Sequence, residues 1–158
     1  MYVLQVKTGC EVSAGKTLRE MGYDVKVPEK IMNVRHGGVW KQRRYLVFTG
    51  YIFLDADSIL PNDYYRINET AGVIKFIGGG SPLSMSETER QYICWLWNGG
   101  KPIEPSKVFV TVNGQKMILS GLLRKYDYAD NNVRQRRARV MIPICGVLHK
   151  ITLPIEIV

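Results

Sequence analysis

Tyr45-Leu46-Val47-Phe48-Thr49-Gly50-Tyr51-Ile52-Phe53-Leu54 is an almost unbroken apolar and aromatic run, relieved only by Thr49 and Gly50. A short apolar run rich in aromatic and β-branched residues reads as a strand buried on both faces. A second reading fits the same residues: aromatics on either side of Gly50 leave one face as an apolar patch for a partner protein. The two readings differ in whether Phe48 and Tyr51 point into a core or out of it.

Upstream the chemistry changes abruptly. Between positions 26 and 44 stand Lys26, Lys30, Arg35, Lys41, Arg43 and Arg44 against one acid, Glu29. Two β-rich runs, 24–35 and 39–54, flank His36-Gly37-Gly38, where the glycines supply the positive φ of a tight hairpin turn. A two-stranded ribbon can lay such cations along a phosphate backbone or into a groove. Arg35, Arg43 and Arg44 add bidentate grip, which a lysine lacks. The bland alternative is a charge-protected edge hairpin in solvent, but charge of one sign points to nucleic acid.

Further outward the periodicities give a fold. Residues 2–7 alternate as a strand, and 11–21 carry Val12, Leu18 and Met21 on one side of an amphipathic helix that Gly22 stops. Pro61 opens a helix through about Glu69, residues 73–77 form a strand, and Gly78-Gly79-Gly80 follows. Ser86 and Glu89 make a capping-box pattern ahead of Tyr92, Ile93, Leu96 and Trp97. Strand, helix, strand, strand, helix, strand and a trailing helix is the order of a ferredoxin-like β-α-β-β-α-β sandwich.

Glycine and proline then crowd residues 98–105, as in a linker. Beyond it the apolar runs 108–112, 117–123, 138–144 and 147–153 are short and β-rich, which predicts a small β-barrel. The predicted class is α+β, with a first domain at 1–98, a linker at 99–107 and a barrel domain at 108–158.

Charge supports a polyanionic partner. The chain carries +8 over 158 residues, with 12 basic and 10 acidic residues in 1–98 but 10 basic and 4 acidic in 99–158. A surplus of this kind attracts polyanions through counterion release. Arg134, Arg136, Arg137 and Arg139 concentrate it: Arg137 and Arg139 share one face of a strand, with Arg134 and Arg136 in the turn before. The cluster either binds RNA or keeps a small barrel soluble.

Several classes are disfavoured. Gly15-Lys16-Thr17 ends like a phosphate-binding loop, but Gly9 and Gly15 enclose five residues where the loop needs four, and the tripeptide falls inside a helix. No triad, paired-carboxylate or Cys-His grouping argues for catalysis, so no enzyme activity and no cofactor are expected. Cys10, Cys94 and Cys145 are far apart with no ligand spacing, so no metal is expected either. No apolar run approaches the roughly 20 residues of a membrane span. The opening MYVLQVKTG lacks the core of a signal peptide, which makes cytoplasm the default.

Set in order, these pieces resemble the NusG family of transcription elongation factors over essentially the whole chain. The resemblance runs through Tyr2-Val3-Leu4-Gln5-Val6 with Gly9 and Glu11, then Val27-Pro28, and most specifically 44–53, which is similar to the family's Phe-Pro-Gly-Tyr strand. It continues through Gly72-Val73-Ile74-Lys75-Phe76-Ile77-Gly78-Gly79, Pro82-Leu83-Ser84, Glu87, then Arg136-Arg137-Ala138-Arg139-Val140, Gly146 and Leu153-Pro154. It implies an N-terminal NGN domain followed by an SH3-like KOW barrel. It also implies a monomer whose apolar patch docks on the clamp helices of the largest subunit of RNA polymerase. Carried over, that patch involves Tyr2, Phe48, Tyr51 and Ile77. The nucleic acid implied is RNA, together with non-template or upstream DNA.

Departures narrow the resemblance. Met1 replaces a usual Trp, Thr49 a Pro, and Asn113-Gly114-Gln115-Lys116-Met117 lacks the Gly-Pro-Phe stretch. That aromatic helps general members reach a ribosomal protein or the termination factor Rho, so those partnerships lose their support here. The basic hairpin and altered barrel look like a specialised paralogue of the LoaP type, which implies processive antitermination on selected operons through an RNA element. The competing expectation is a general RNA-binding or ribosome-associated KOW protein without polymerase activity.

Overall fold

The computed structural model describes residues 1–126 and 128–158, with backbone alone over 128–131. It divides into two compact units, Met1–Val27 with Phe48–Gln91, and Pro28–Val47 with Tyr92–Val158.

The first unit begins with β1 (Tyr2–Val6), α1 (Glu11–Glu20) and β2 (Val25–Lys26). The chain leaves it and returns as β5 (Tyr51–Leu54), α2 (Pro61–Asn68) and β6 (Val73–Phe76). The sheet order is β2-β5-β1-β6, with β1 antiparallel to both β5 and β6. That is the ferredoxin-like arrangement the sequence predicts. Local signals explain its helices. Gly22 sits at φ +98 after α1, with Gly22 N–H donating to Arg19 O and Tyr23 N–H to Leu18 O, the paired bonds of a Schellman ending. Pro61 opens α2 where no N–H is needed. Val3, Leu4, Leu18, Ile52, Phe53, Ile67 and Phe76 make the core.

Between β2 and β5 lie β3 (Glu29–His36) and β4 (Val39–Leu46), a separate two-stranded sheet in the second unit. Each β-rich run of the sequence is thus two strands rather than one. Pro28 breaks the first run, since it has no N–H to give a ladder. Thr49 and Gly50 break the second, with Gly50 at φ +83. The turn is the expected hairpin: His36 opposes Val39, and Gly37 and Gly38 both have positive φ.

Helix α3 (Glu87–Trp97) follows, opened by the predicted capping box. Ser86 N–H donates to Glu89 Oε1 at 3.1 Å, and Glu89 N–H to Ser86 Oγ at 3.2 Å. The second unit then adds β7 (Ser106–Val110), β8 (Lys116–Ser120), β9 (Tyr128–Asn132), β10 (Arg137–Ile144) and β11 (Val147–Ile157), in the order β8-β7-β11-β10-β9. β10 alternates exposed Arg137, Arg139 and Met141 with buried Ala138, Val140 and Ile142, so its inward face packs with Val108, Ile151, Leu153 and Ile155 as the core of this sheet. The run 117–123 ends as a strand at Ser120, because Gly121 turns at φ +102 and a Cβ there would lie 2.5 Å from Ser106 Oγ.

Candidate functional site

The basic hairpin belongs to the same unit as the arginine-bearing strand. Its base is tied by Ile31 N–H to Ile103 O and Ile103 N–H to Glu29 O, both 2.8 Å. Lys30 Nζ donates to Thr152 O at 2.7 Å, and the Arg136 guanidinium lies 4.2 Å from the Trp40 ring centroid. The hairpin and the Arg136–Arg139 stretch are therefore contiguous within this unit, a junction that sequence spacing does not reveal. Trp40 stands opposite Arg35 near the hairpin tip, an aromatic among cations whose role as a stacking contact the sequence does not mark.

Cross-strand register sorts the cations. Lys41 opposes Val34 and Arg43 opposes Met32, so these two share a hairpin face; Arg35 and Arg44 occupy the other, opposite Trp40 and Ile31. Arg35, Lys41, Arg43, Arg134, Arg137 and Arg139 are exposed and have no ion-pair partner among the described residues. Arg44 pairs with Glu29. Desolvation of these surface cations costs little, which suits transient contact with phosphates.

The remaining two predicted contacts face inward. Lys26 is bound between Asp24 and Asp55, each 3.0 Å away, and Asp55 also accepts from Arg90 at 3.0 Å. Burial alone would lower the Lys26 pKa, but hydrogen bonds and charge from Asp24 and Asp55 outweigh it and hold the ammonium above its ordinary value. For Asp55, burial pulls upward and is outweighed by Arg90 and Lys26, leaving the carboxyl below the usual range. Lys30 moves the other way: burial, with Arg137 nearby, brings its pKa down to about 8. Lys26 thus binds its unit together as a charged group, whereas Lys30 is turned inward in the other unit at a cost to its charged form.

In the first unit the aromatic residues divide between two faces of the sheet. Tyr2 opposes Leu54 and Gln5 opposes Tyr51, so Tyr2 and Tyr51 leave opposite faces. Tyr2 is buried edge-on to Phe76, which stacks on Tyr64 of α2 at 5.5 Å. Phe53 shares the face of Tyr51 and carries the Phe48 ring at 5.1 Å. Leu4 opposes Phe76 and Ile77 N–H donates to Val3 O, which puts Ile77 on that face too. The structure thus brings Phe48, Tyr51 and Ile77 to one face and Tyr2 to the other. Tyr51 and Ile77 are half-buried, while Phe48 is 6% exposed.

Glu11 fixes the segment between Phe48 and Tyr51. Its carboxylate, 2% exposed, accepts from Gly50 N–H and Gly9 N–H, both at 2.9 Å. The loop is held by a buried anion on two amides, strong because the acceptor is charged. Nearby Gly15 lies within α1, where a Cβ would come 2.7 Å from Val27 Cγ2. It serves close helix–strand packing.

A family model described as "Transcription termination factor nusG" matches residues 1–94, more than half of the chain. The chain belongs to the NusG family. It is similar to the transcription termination/antitermination protein NusG of Thermus thermophilus, 25% identical over 139 residues that cover 82% of this chain and 76% of that protein. It also resembles the protein of that name from Chlamydia pneumoniae, 28% identical over 98 residues. That match covers 56% of this chain and about half, 53%, of the Chlamydia protein. A solved structure described as "Domain interaction in Thermotoga maritima NusG" aligns with a TM-score of 0.60, over 98% of this chain and 92% of that one at 17% identity, and supports the fold. NusG-family proteins are non-enzymatic factors of transcription termination and antitermination. Among the described residues no helix is long and apolar enough to cross a membrane.

Proposed function

We propose that this NusG-family chain is an elongation factor that engages RNA polymerase and nucleic acid at once, acting in the cytoplasm as a monomer. The polymerase-facing surface is the sheet face of Phe48, Tyr51 and Ile77, with the clamp helices of the largest subunit as its partner. Tyr51 and Ile77 supply the accessible part of that surface. Phe48 supports it from beneath, and Tyr2 braces the opposite side of the sheet. Glu11 positions the loop.

Nucleic acid is held by Arg35, Lys41 and Arg43 of the hairpin with Arg134, Arg137 and Arg139 of the barrel. The observation that carries this reading is their exposure, without an ion-pair partner among the described residues, with the hairpin tied to the barrel by the Arg136–Trp40 stack. Cations of one sign on both hairpin faces and on the barrel strand fit a phosphate backbone in RNA and in upstream or non-template DNA. Their density favours the specialised role, processive antitermination on particular operons through an RNA element of the LoaP kind.

The combined variant Arg35→Gln, Lys41→Gln and Arg43→Gln tests the surface. RNA affinity measured by gel shift on nascent leader transcripts should fall at least tenfold. The slope of log affinity against log salt should shrink by about 2–3, at 0.7–0.9 per lost phosphate contact. Equal affinity of the parent protein for every RNA and DNA offered would defeat the operon-specific part.

A further inference from the structure

A cleft in the barrel-bearing unit is lined by none of the hairpin cations. It encloses about 740 Å³ where the end of α3, the segment 98–105, and the turn after β8 meet, within the range of ligand sites. Trp95, Lys101, Lys107 and Lys125 line it, with Glu104 as its one carboxylate and buried Ile103 in its wall. Three lysines against one acid give the cleft a net positive charge. The lysines are exposed and none has an ion-pair partner among the described residues.

Its aromatic wall is held firmly. Tyr126 meets Trp95 edge-on at 5.8 Å, Tyr92 lies 5.7 Å away, and the Tyr126 hydroxyl donates to Tyr92 O at 2.7 Å. Burial raises the Tyr126 hydroxyl well above its ordinary pKa, so it stays a neutral donor. Trp95 itself is half-buried, and Lys125 Nζ sits 5.1 Å from its ring centroid. A cation thus already reaches this electron-rich ring, and its stem is flexible enough to turn outward toward a phosphate.

We propose that this cleft binds a nucleotide, the base stacked on Trp95 and the phosphates held by Lys101, Lys107 and Lys125. A fixed aromatic beside mobile cations is the arrangement that takes unpaired bases, since stacking suits any base and lysines follow the backbone. The nucleotide comes either from a single-stranded RNA or from the free pool. The RNA source rests on the proposed function above, whereas the cleft chemistry does not.

The test measures binding of a labelled eight-nucleotide oligoadenylate RNA and of ATP to the full chain by fluorescence anisotropy and competition. The triple variant Lys101→Gln, Lys107→Gln and Lys125→Gln should weaken both and reduce the salt slope for the RNA by about 2. Trp95→Leu should weaken both roughly 5- to 100-fold, the range for one lost stacking contact, while Trp95→Phe stays within a few-fold. If Trp95→Leu fails to fold, the triple-lysine variant still decides whether the cleft binds. Cleft-dependent RNA binding that ATP cannot displace assigns the site to RNA; ATP bound more tightly than the RNA assigns it to free nucleotide. Unchanged affinities in the folded Trp95→Leu or triple-lysine variant overturn the proposal, as does inorganic tripolyphosphate binding as well as ATP. The hairpin variant Arg35→Gln, Lys41→Gln, Arg43→Gln should retain ATP binding, which separates failure of the hairpin surface from failure of this cleft.

Discussion

Replacing Phe48 by Ala should cost the first unit about 3–4 kcal/mol. Phe48 is 6% exposed and its ring packs against that of Phe53 at 5.1 Å, tilted by 67°. Truncating a buried Phe costs roughly 3–5 kcal/mol through lost transfer energy and the cavity left behind, and the ring pair accounts for about 0.5–1.5 of that. The loss takes a large part of the roughly 5–15 kcal/mol that keeps a domain folded. In urea titrations followed by circular dichroism, the midpoint of that unit should fall by on the order of 2 M, given a slope of about 1–3 kcal/mol/M. Polymerase capture by Phe48→Ala would then mix lost stability with a lost part of the surface. Phe48→Leu keeps most of the apolar volume and should recover most of the stability; its binding, measured on folded protein, reports the surface itself. A cooperative unfolding curve for Phe48→Ala shifted by less than the equivalent of about 1 kcal/mol would refute the burial argument.

Glu11→Ala removes the acceptor of two backbone N–H groups and should destabilise the first unit by about 3–6 kcal/mol, since bonds to a charged acceptor contribute roughly 1.5–3 each. Hydrogen exchange at the Gly9 and Gly50 amides should speed up; unchanged exchange would mean the carboxylate does not hold the loop. The Lys30 pKa, about 8 in the folded chain, lies below the ordinary lysine value of about 10.4. Between those pH values the unfolded chain binds more protons, so stability rises with pH there, and below pH 8 the cost of burying the charge is carried in full. Lys30→Met should be flat across that window, so any stability advantage of the variant at pH 7 shrinks by pH 10.5. A gap that does not change with pH would contradict the buried ammonium.

Local signals made much of the fold readable. Gly22, Pro61, the Ser86–Glu89 box and Gly37-Gly38 act over a few residues, so their effect stands in the sequence itself. What the runs 24–35 and 39–54 concealed was partnership. Both halves of each run are β-rich, and only non-local pairing assigns Tyr51–Leu54 to one sheet and Val39–Leu46 to another. Pro28 and Gly50 were the visible clues. Site residues followed the same division. The exposed faces of Arg137 and Arg139 came from strand alternation, and Arg35, Lys41 and Arg43 stand exposed on the hairpin. The inward positions of Lys26 and Lys30 depend on Asp55 and Thr152, which are 29 and 122 residues distant. Likewise, the buried side of Phe48 depends on Phe53 across a bend that the apolar run does not announce.

Under the proposed function the Phe48–Tyr51–Ile77 face holds the polymerase. The most direct measurement is co-elution of the purified chain with core RNA polymerase in low-salt gel filtration, for the parent protein and for Tyr51→Ala. Tyr51 is half-buried, so binding is compared on variant protein whose folding circular dichroism has verified. The parent protein should form a stoichiometric complex that Tyr51→Ala weakens at least tenfold while leaving RNA affinity nearly unchanged. A parent protein that elutes apart from core polymerase would contradict that function.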